Sequence, residues 1–248
     1  MIFRLVTTFF LLVTQSFAQT SNVSTGSFEI TKTPLAILGE ELAPTYADLI
    51  DINEEVIWEI HVPKDYDPNN PPGVMVYISP QNIVNEPNGW LEVTERKNLI
   101  WIAAQKSGNK VQVSKRISMA MLALPLLQST YNINTNRIYV SGFSGGGRIA
   151  SLVATNLPHV FKGALYNCGA NFWDTANDEQ LLHIKNNRFV FLTGSDDFNL
   201  DDTKRVYAKY KKAGVKNIKL MVIPRMGHSN PKRAKFSQAL EYLDDLAS

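Results

Sequence analysis

Residues 136–148 read Asn136-Arg-Ile-Tyr-Val-Ser-Gly142-Phe-Ser144-Gly-Gly-Gly-Arg148. A short apolar run, 138–140, has the character of a strand, and an amphipathic segment over 148–156 has helical spacing. Between them stands Gly142-Phe-Ser144-Gly-Gly146. Strand, Gly-x-Ser-x-Gly, helix is the pattern of a nucleophile elbow. The turn is so tight that its serine takes a strained backbone conformation, and the residues two on either side collide unless they lack a Cβ. The hydroxyl of Ser144 is thereby lifted off the sheet edge. The amide of Gly145 opens the helix, where free N–H groups favour developing negative charge. The competing reading is a glycine-rich turn with an incidental serine; the strand before it, the helix after it and the third glycine count against that.

An elbow needs an acid and a base. Open parallel sheets carry their functional loops at the carboxyl ends of the strands, so partners are sought at the strand ends after Ser144, acid first and histidine second. The first such loop is Leu192-Thr-Gly194-Ser-Asp196-Asp197. Spacing alone does not choose between Asp196 and Asp197, and Asp201 and Asp202 are explained by capping of the next helix. The second loop is Ile223-Pro-Arg-Met-Gly227-His228. His228 directly follows the last strand, with glycine before it to give access. The other histidines fit less well: His61 lies inside an early strand, His159 follows the elbow helix, and His183 lies in a polar segment.

Serine is a poor nucleophile until a base takes its proton. His228 fills that role, and the aspartate holds its tautomer and stabilises the imidazolium. Two backbone N–H groups are expected to hold the oxyanion. One is Gly145. The other comes from the loop after residues 74–78, Ser79-Pro80-Gln81; Pro80 has no N–H, which leaves Gln81.

Around this centre the chain alternates strand and helix from residue 74 onward, which predicts an α/β fold with a mostly parallel sheet covered on both faces. The runs 74–78 and 99–103 are continuously apolar, as strands buried on two faces must be. Residues 113–131 have helical spacing interrupted by Pro125. Strands are expected at 27–33, 55–62, 161–167, 189–192 and 218–223, and helices at 200–213 and 232–246. The stretch between residues 33 and 55 reads as an irregular acidic link. No stretch is long enough for a large lid.

The 248 residues suffice for one α/β domain, expected over 27–248. Lys and Arg number 25 against 23 Asp and Glu, so the balance gives no electrostatic case for nucleic acid. At the N-terminus Arg4 precedes a mostly apolar run, 5–13, and Ser16-Phe-Ala18 is a small-x-small cleavage site. Residues 1–18 are therefore expected to be a signal peptide cut after Ala18, and 19–26 a flexible start, placing the protein in the periplasm or outside the cell. The apolar run is too short to span a membrane. The single cysteine, Cys168, cannot form an intramolecular disulfide and reads as a buried thiol rather than a nucleophile. No metal or cofactor is expected.

The chain resembles the α/β-hydrolase superfamily, and within it the small secreted esterases related to polyhydroxybutyrate depolymerases and feruloyl or acetylxylan esterases. Four segments carry this: Tyr77-Ile-Ser-Pro80, the elbow, Leu192-Thr-Gly-Ser-Asp-Asp197, and Pro224-Arg-Met-Gly-His228. In that family the acid stands three residues after the loop glycine, which implies Asp197. The chain departs from the family at Ser79-Pro80, where many relatives have His-Gly. The resemblance implies hydrolysis of carboxylic esters. Trp90, Phe172 and Trp173, in loops expected to open on the catalytic edge, are candidates to line a substrate pocket. With no lid, a short acyl group or a polymer-linked ester is the expected substrate. The alternatives are a peptidase or amidase with the same triad, and a binding protein that retains the fold without catalysis.

Overall fold

The computed structural model describes residues 23–173 and 175–245. The expected signal peptide and residues 19–22 of the expected flexible segment lie outside the described residues. Residues 23–26 correct that expectation. Val23 packs against the core, the Ser24 carbonyl accepts a 2.7 Å hydrogen bond from the Tyr131 hydroxyl, and Gly26 is already in a strand opposite Val62.

Eight strands form one sheet in the order β1-β2-β4-β3-β5-β6-β7-β8. The strands are β1 (Gly26–Lys32), β2 (Val56–Val62), β3 (Gly73–Ile78), β4 (Leu99–Ala104), β5 (Ile138–Phe143), β6 (Gly163–Asn167), β7 (Arg188–Gly194) and β8 (Ile218–Ile223). β1 and β2 pair antiparallel, as do β2 and β4; from β4 through β8 every pairing is parallel. Among the described residues the α-helices are α1 (Pro34–Leu42), α2 (Trp90–Arg96), α3 (Val113–Gln128), α4 (Gly145–Asn156), α5 (Asp178–Asn186), α6 (Leu200–Lys212) and, after the last strand, α7 (Arg233–Asp244). This is an α/β-hydrolase fold with a mostly parallel sheet.

Alternation along each strand explains the apolar runs. Val74, Val76 and Ile78 join one core with Met119, Ala123 and Leu127 of α3 and Ile149 and Val153 of α4. Met75 and Tyr77 point the other way, into a second core with Trp90 of α2 and Phe236, Leu240 and Leu243 of α7. β3 to β7 are thus buried on both faces, β8 at the sheet edge is partly exposed, and the carboxyl ends of the parallel strands form one edge.

Three short helices depart from the sequence reading. α1 fills part of what reads as an irregular link; its start is capped by Thr33, whose hydroxyl accepts the Ala36 N–H at 3.1 Å, with Pro34 in the first turn. α5 starts with a reciprocal capping box between Asn177 and Gln180. α2 has no side-chain cap and follows Gly89 at φ 76°.

Candidate functional site

β5 delivers the chain into the turn at Ser144, whose φ of 54° and ψ of −119° lie outside the regions that non-glycine residues favour. Such a conformation costs about 1–3 kcal/mol and persists only where its surroundings enforce it. Here the Ser144 N–H is held by the Asn167 carbonyl at 2.8 Å, and the Ser144 carbonyl accepts the Arg148 N–H at 3.1 Å as α4 begins. The glycines are forced by contact. A Cβ on Gly142 would lie 2.4 Å from the Gly146 carbonyl, and one on Gly146 would lie 1.9 Å from the Ile78 oxygen.

Two further loops converge on this serine from adjacent parallel strands. The last residues of β7 and β8 are in register, Gly194 opposite Ile223. Beyond them the loops are sewn together: the Ser195 N–H donates to the Ile223 oxygen at 2.9 Å and the Asp196 N–H to the Met226 oxygen at 3.0 Å. The result is a hydrogen-bonded chain. His228 Nε2 lies 2.8 Å from Ser144 Oγ, and His228 Nδ1 lies 2.7 Å from Asp197 Oδ1.

The two aspartates, equivalent by spacing, have different surroundings. Asp197 is buried and touches the imidazole; Asp196 is exposed and accepts the neighbouring Ser195 hydroxyl at 2.8 Å. Burial alone would raise the Asp197 carboxyl. Hydrogen bonds from Cys168, the Asn199 N–H, the Thr193 hydroxyl and His228 outweigh it and hold the group below the usual carboxylate value. The Asn199 and Thr193 bonds measure 2.9 Å and 2.7 Å. A carboxylate so held stays ionised at neutral pH and fixes the proton on Nδ1, leaving Nε2 to accept from Ser144.

Cys168 is buried at φ 55°, with its Sγ 3.4 Å from the Ser229 carbonyl. Burial first, and the Asp197 charge and hydrogen bond next, push its thiol up. Cys168, Asp197 and His228 bring their ligand atoms within 4.8 Å of one another, a set of types that binds zinc elsewhere. A metal would require the thiolate, which this environment disfavours, and would take the carboxylate and Nδ1 from each other. The thiol stays protonated beside Asp197, with its Sγ–H directed at the Ser229 carbonyl.

Sequence reasoning missed the aromatic walls of the histidine. Phe143 lies 4.8 Å and Phe198 4.1 Å from the His228 ring centroid, and Phe198 is 78% exposed. The signal was position: Phe143 is the x of Gly-x-Ser, and Phe198 follows the acid directly.

Other expected site residues fare unequally. Gly145 is the first residue of α4, so its N–H has no acceptor within the helix. The Gln81 N–H, expected as the second oxyanion donor, is engaged by Ser79 Oγ at 3.0 Å. The reading of Trp90 is corrected. It opens α2 fully buried, stacks on Phe236 at 3.7 Å and donates its Nε1–H to the Pro231 carbonyl at 3.0 Å. It is core, not pocket. Phe172 and Trp173 stack on each other at 4.1 Å and help line an open cleft of about 630 Å³ with Asn177 and Leu181; neither Ser144 nor His228 borders it.

A second Ser–His–carboxylate chain shows why composition alone is a poor guide. Ser27 Oγ lies 2.8 Å from His61 Nδ1, and His61 Nε2 lies 2.5 Å from Glu95. Ser27 and His61 are direct cross-strand partners in β1 and β2. That serine stands in a regular strand, with no elbow and no helix start beside it, so the chain fastens an edge strand to α2.

No family model matches the chain, and no curated protein matches it in sequence. Solved structures do resemble it. A ferulic acid esterase is similar at TM-score 0.62 and 16% identity, over 88% of this chain and 96% of that one. An S-formylglutathione hydrolase from Staphylococcus aureus is similar at 0.61 and 12%, over 90% and 99%. A thermostable esterase is similar at 0.53 and 18% over 71% of this chain, which spans about half (52%) of that longer protein. At these identities the likeness establishes the α/β-hydrolase fold.

Proposed function

We propose that the protein is a serine hydrolase of carboxylic esters that works through an acyl-enzyme. The observation that carries this reading is the continuous chain Ser144–His228–Asp197, with bonds of 2.8 and 2.7 Å, on a strained elbow at a helix start. In the first half-reaction Ser144 Oγ bonds to the ester carbonyl carbon while its proton moves to His228 Nε2. The carbonyl π pair goes to oxygen. Asp197 stays ionised against the imidazolium. On collapse the alcohol leaves with the proton from Nε2, and the acyl group remains on Ser144. Water then repeats the sequence: its proton goes to Nε2, the acid is released, and Ser144 regains its proton.

The mouth of the site supports this choice of ester. An exposed Phe198 stacked on the histidine leaves an apolar rim open to solvent, which suits a short acyl group or an ester on a polymer. The likeness to a ferulic acid esterase supports the same reading. Export is part of this proposal, supported by the leader-like residues 1–18. N-terminal sequencing of protein from the periplasm or medium should then begin at Gln19.

The test is a hydrolysis panel that varies acyl length on a fixed alcohol, then takes acetylated xylan, feruloyl esters, hydroxybutyrate oligomers and matched anilides. Turnover of short or polymer-linked esters, abolished in Ser144→Ala, is the expected result. Faster cleavage of anilides than of matched esters would favour an amidase, and no turnover of any substrate would leave a binding protein.

A further inference from the structure

The elbow carries one glycine that the turn itself does not require. A Cβ at Gly145 would lie 2.0 Å from Asn109 Oδ1, 2.7 Å from Cγ and 2.9 Å from Nδ2. The space a side chain would fill at Gly145, the residue after Ser144, is occupied by the Asn109 carboxamide, with Oδ1 nearest and Nδ2 next to it. From these contacts we infer that Asn109 is a side-chain donor of the oxyanion hole, paired with the Gly145 N–H. This inference rests on the serine-hydrolase reading of the site.

Asn109 lies in the loop after β4, which packs on the loop after β3: the Asn109 N–H donates to the Pro80 carbonyl at 3.0 Å, and the Gly108 N–H to Asn82 Oδ1 at 3.1 Å. The orientation of its carboxamide is set by Arg116. A guanidinium only donates, so the atom facing Arg116 Nη1 at 3.4 Å is the acceptor Oδ1. That turns the Nδ2 hydrogens away from Arg116. Among the described residues Nδ2 has no acceptor, and Asn109 is exposed, with Nδ2 2.9 Å from where a Gly145 Cβ would stand. A donor without an acceptor beside the nucleophile is what a transient oxyanion needs.

Arg116 strengthens the case. It is buried, only 4% exposed, and its Nη2 donates to the Ser79 carbonyl at 2.9 Å. No carboxylate among the described residues pairs with it. Its charge polarises the Asn109 amide through Oδ1, making Nδ2–H a better donor. Asn109 thus takes the place that the Gln81 N–H fills in the sequence reading, since that amide is already bonded to Ser79.

Asn109→Ala should lower kcat roughly 10²- to 10³-fold, the usual loss on removing one such donor, with KM little changed. The decisive readout pairs each ester with its thionoester, whose developing sulfur anion is a poor hydrogen-bond acceptor. Wild type should favour the oxoester strongly, and Asn109→Ala should lose most of that preference while its melting temperature stays put. Unchanged kcat in Asn109→Ala, or a fall in kcat with the oxo-to-thiono ratio intact, would overturn the assignment. Failure of the parent reading looks different: wild type would then hydrolyse no ester at all.

Discussion

At the scale of single residues, Asp197 and Asp196 make the sharpest contrast. They are neighbours of identical chemistry, yet only Asp197 is buried against His228, and Asp196 faces solvent. Asp197→Asn keeps the shape but presents an amide to Nδ1 and favours the wrong tautomer. Its kcat should fall by about 10⁴, as for other triad acids. Asp196→Asn should be close to wild type. Steady-state kinetics on both variants separates the roles, and the reverse pattern would move the acid. Thr193→Val tests how the carboxylate is held. Asp197 sits below its ordinary value, so its contribution to stability is complete above the unfolded carboxyl pKa and is lost as pH falls through the folded one. Removing the Thr193 hydroxyl raises the folded value. Urea unfolding across the acid range should therefore show the variant losing stability at a higher pH than wild type. The serine and histidine were legible in the sequence because motif and strand end mark them. The acid needed family spacing to break a tie. Asn109 left no sequence signal, since its role depends on a loop crossing from another strand.

At the scale of elements, the elbow is a crossing of backbones and its glycines differ in what they tolerate. Gly146→Ala puts a methyl 1.9 Å from a backbone oxygen of β3, an atom that cannot step aside. That variant should lose the native fold or accumulate insoluble. At Gly227 nothing lies within 4 Å of where a methyl would stand, and its φ is not positive, so Gly227→Ala should fold with an unchanged melting curve. Thermal unfolding followed by circular dichroism distinguishes the two. β3 and β4 could be read from their unbroken apolar runs, and the longer helices from their periodicity. The short helices α1, α2 and α5 could not be read that way, because two turns hold too few apolar positions to show a period. Two of them carried cap signals instead: Thr33 with Pro34, and Asn177 with Gln180. α2 carried none, which is why Trp90 read as a loop residue.

At the scale of the whole molecule, two cores on opposite faces of one sheet hold the carboxyl strand ends level, so that loops after β5, β7 and β8 meet. Trp90 belongs to that scaffold. Trp90→Ala should cost about 3–5 kcal/mol, the usual figure for truncating a buried large aromatic, and lower the melting temperature while leaving KM nearly unchanged. A rise in KM without loss of stability would return Trp90 to the substrate pocket. Fold class was legible from strand–helix alternation. The strand order, with β4 between β2 and β3, was not, because periodicity says which face a residue occupies but not which strand lies beside it. The most direct test is covalent. The purified protein should react with a fluorophosphonate probe, gain one adduct by intact mass, and map it to Ser144. Ser144→Ala, folded to the same melting temperature, should gain none. No labelling of wild type, or equal labelling of Ser144→Ala, would contradict the claim that the elbow at residues 142–146 carries the nucleophile.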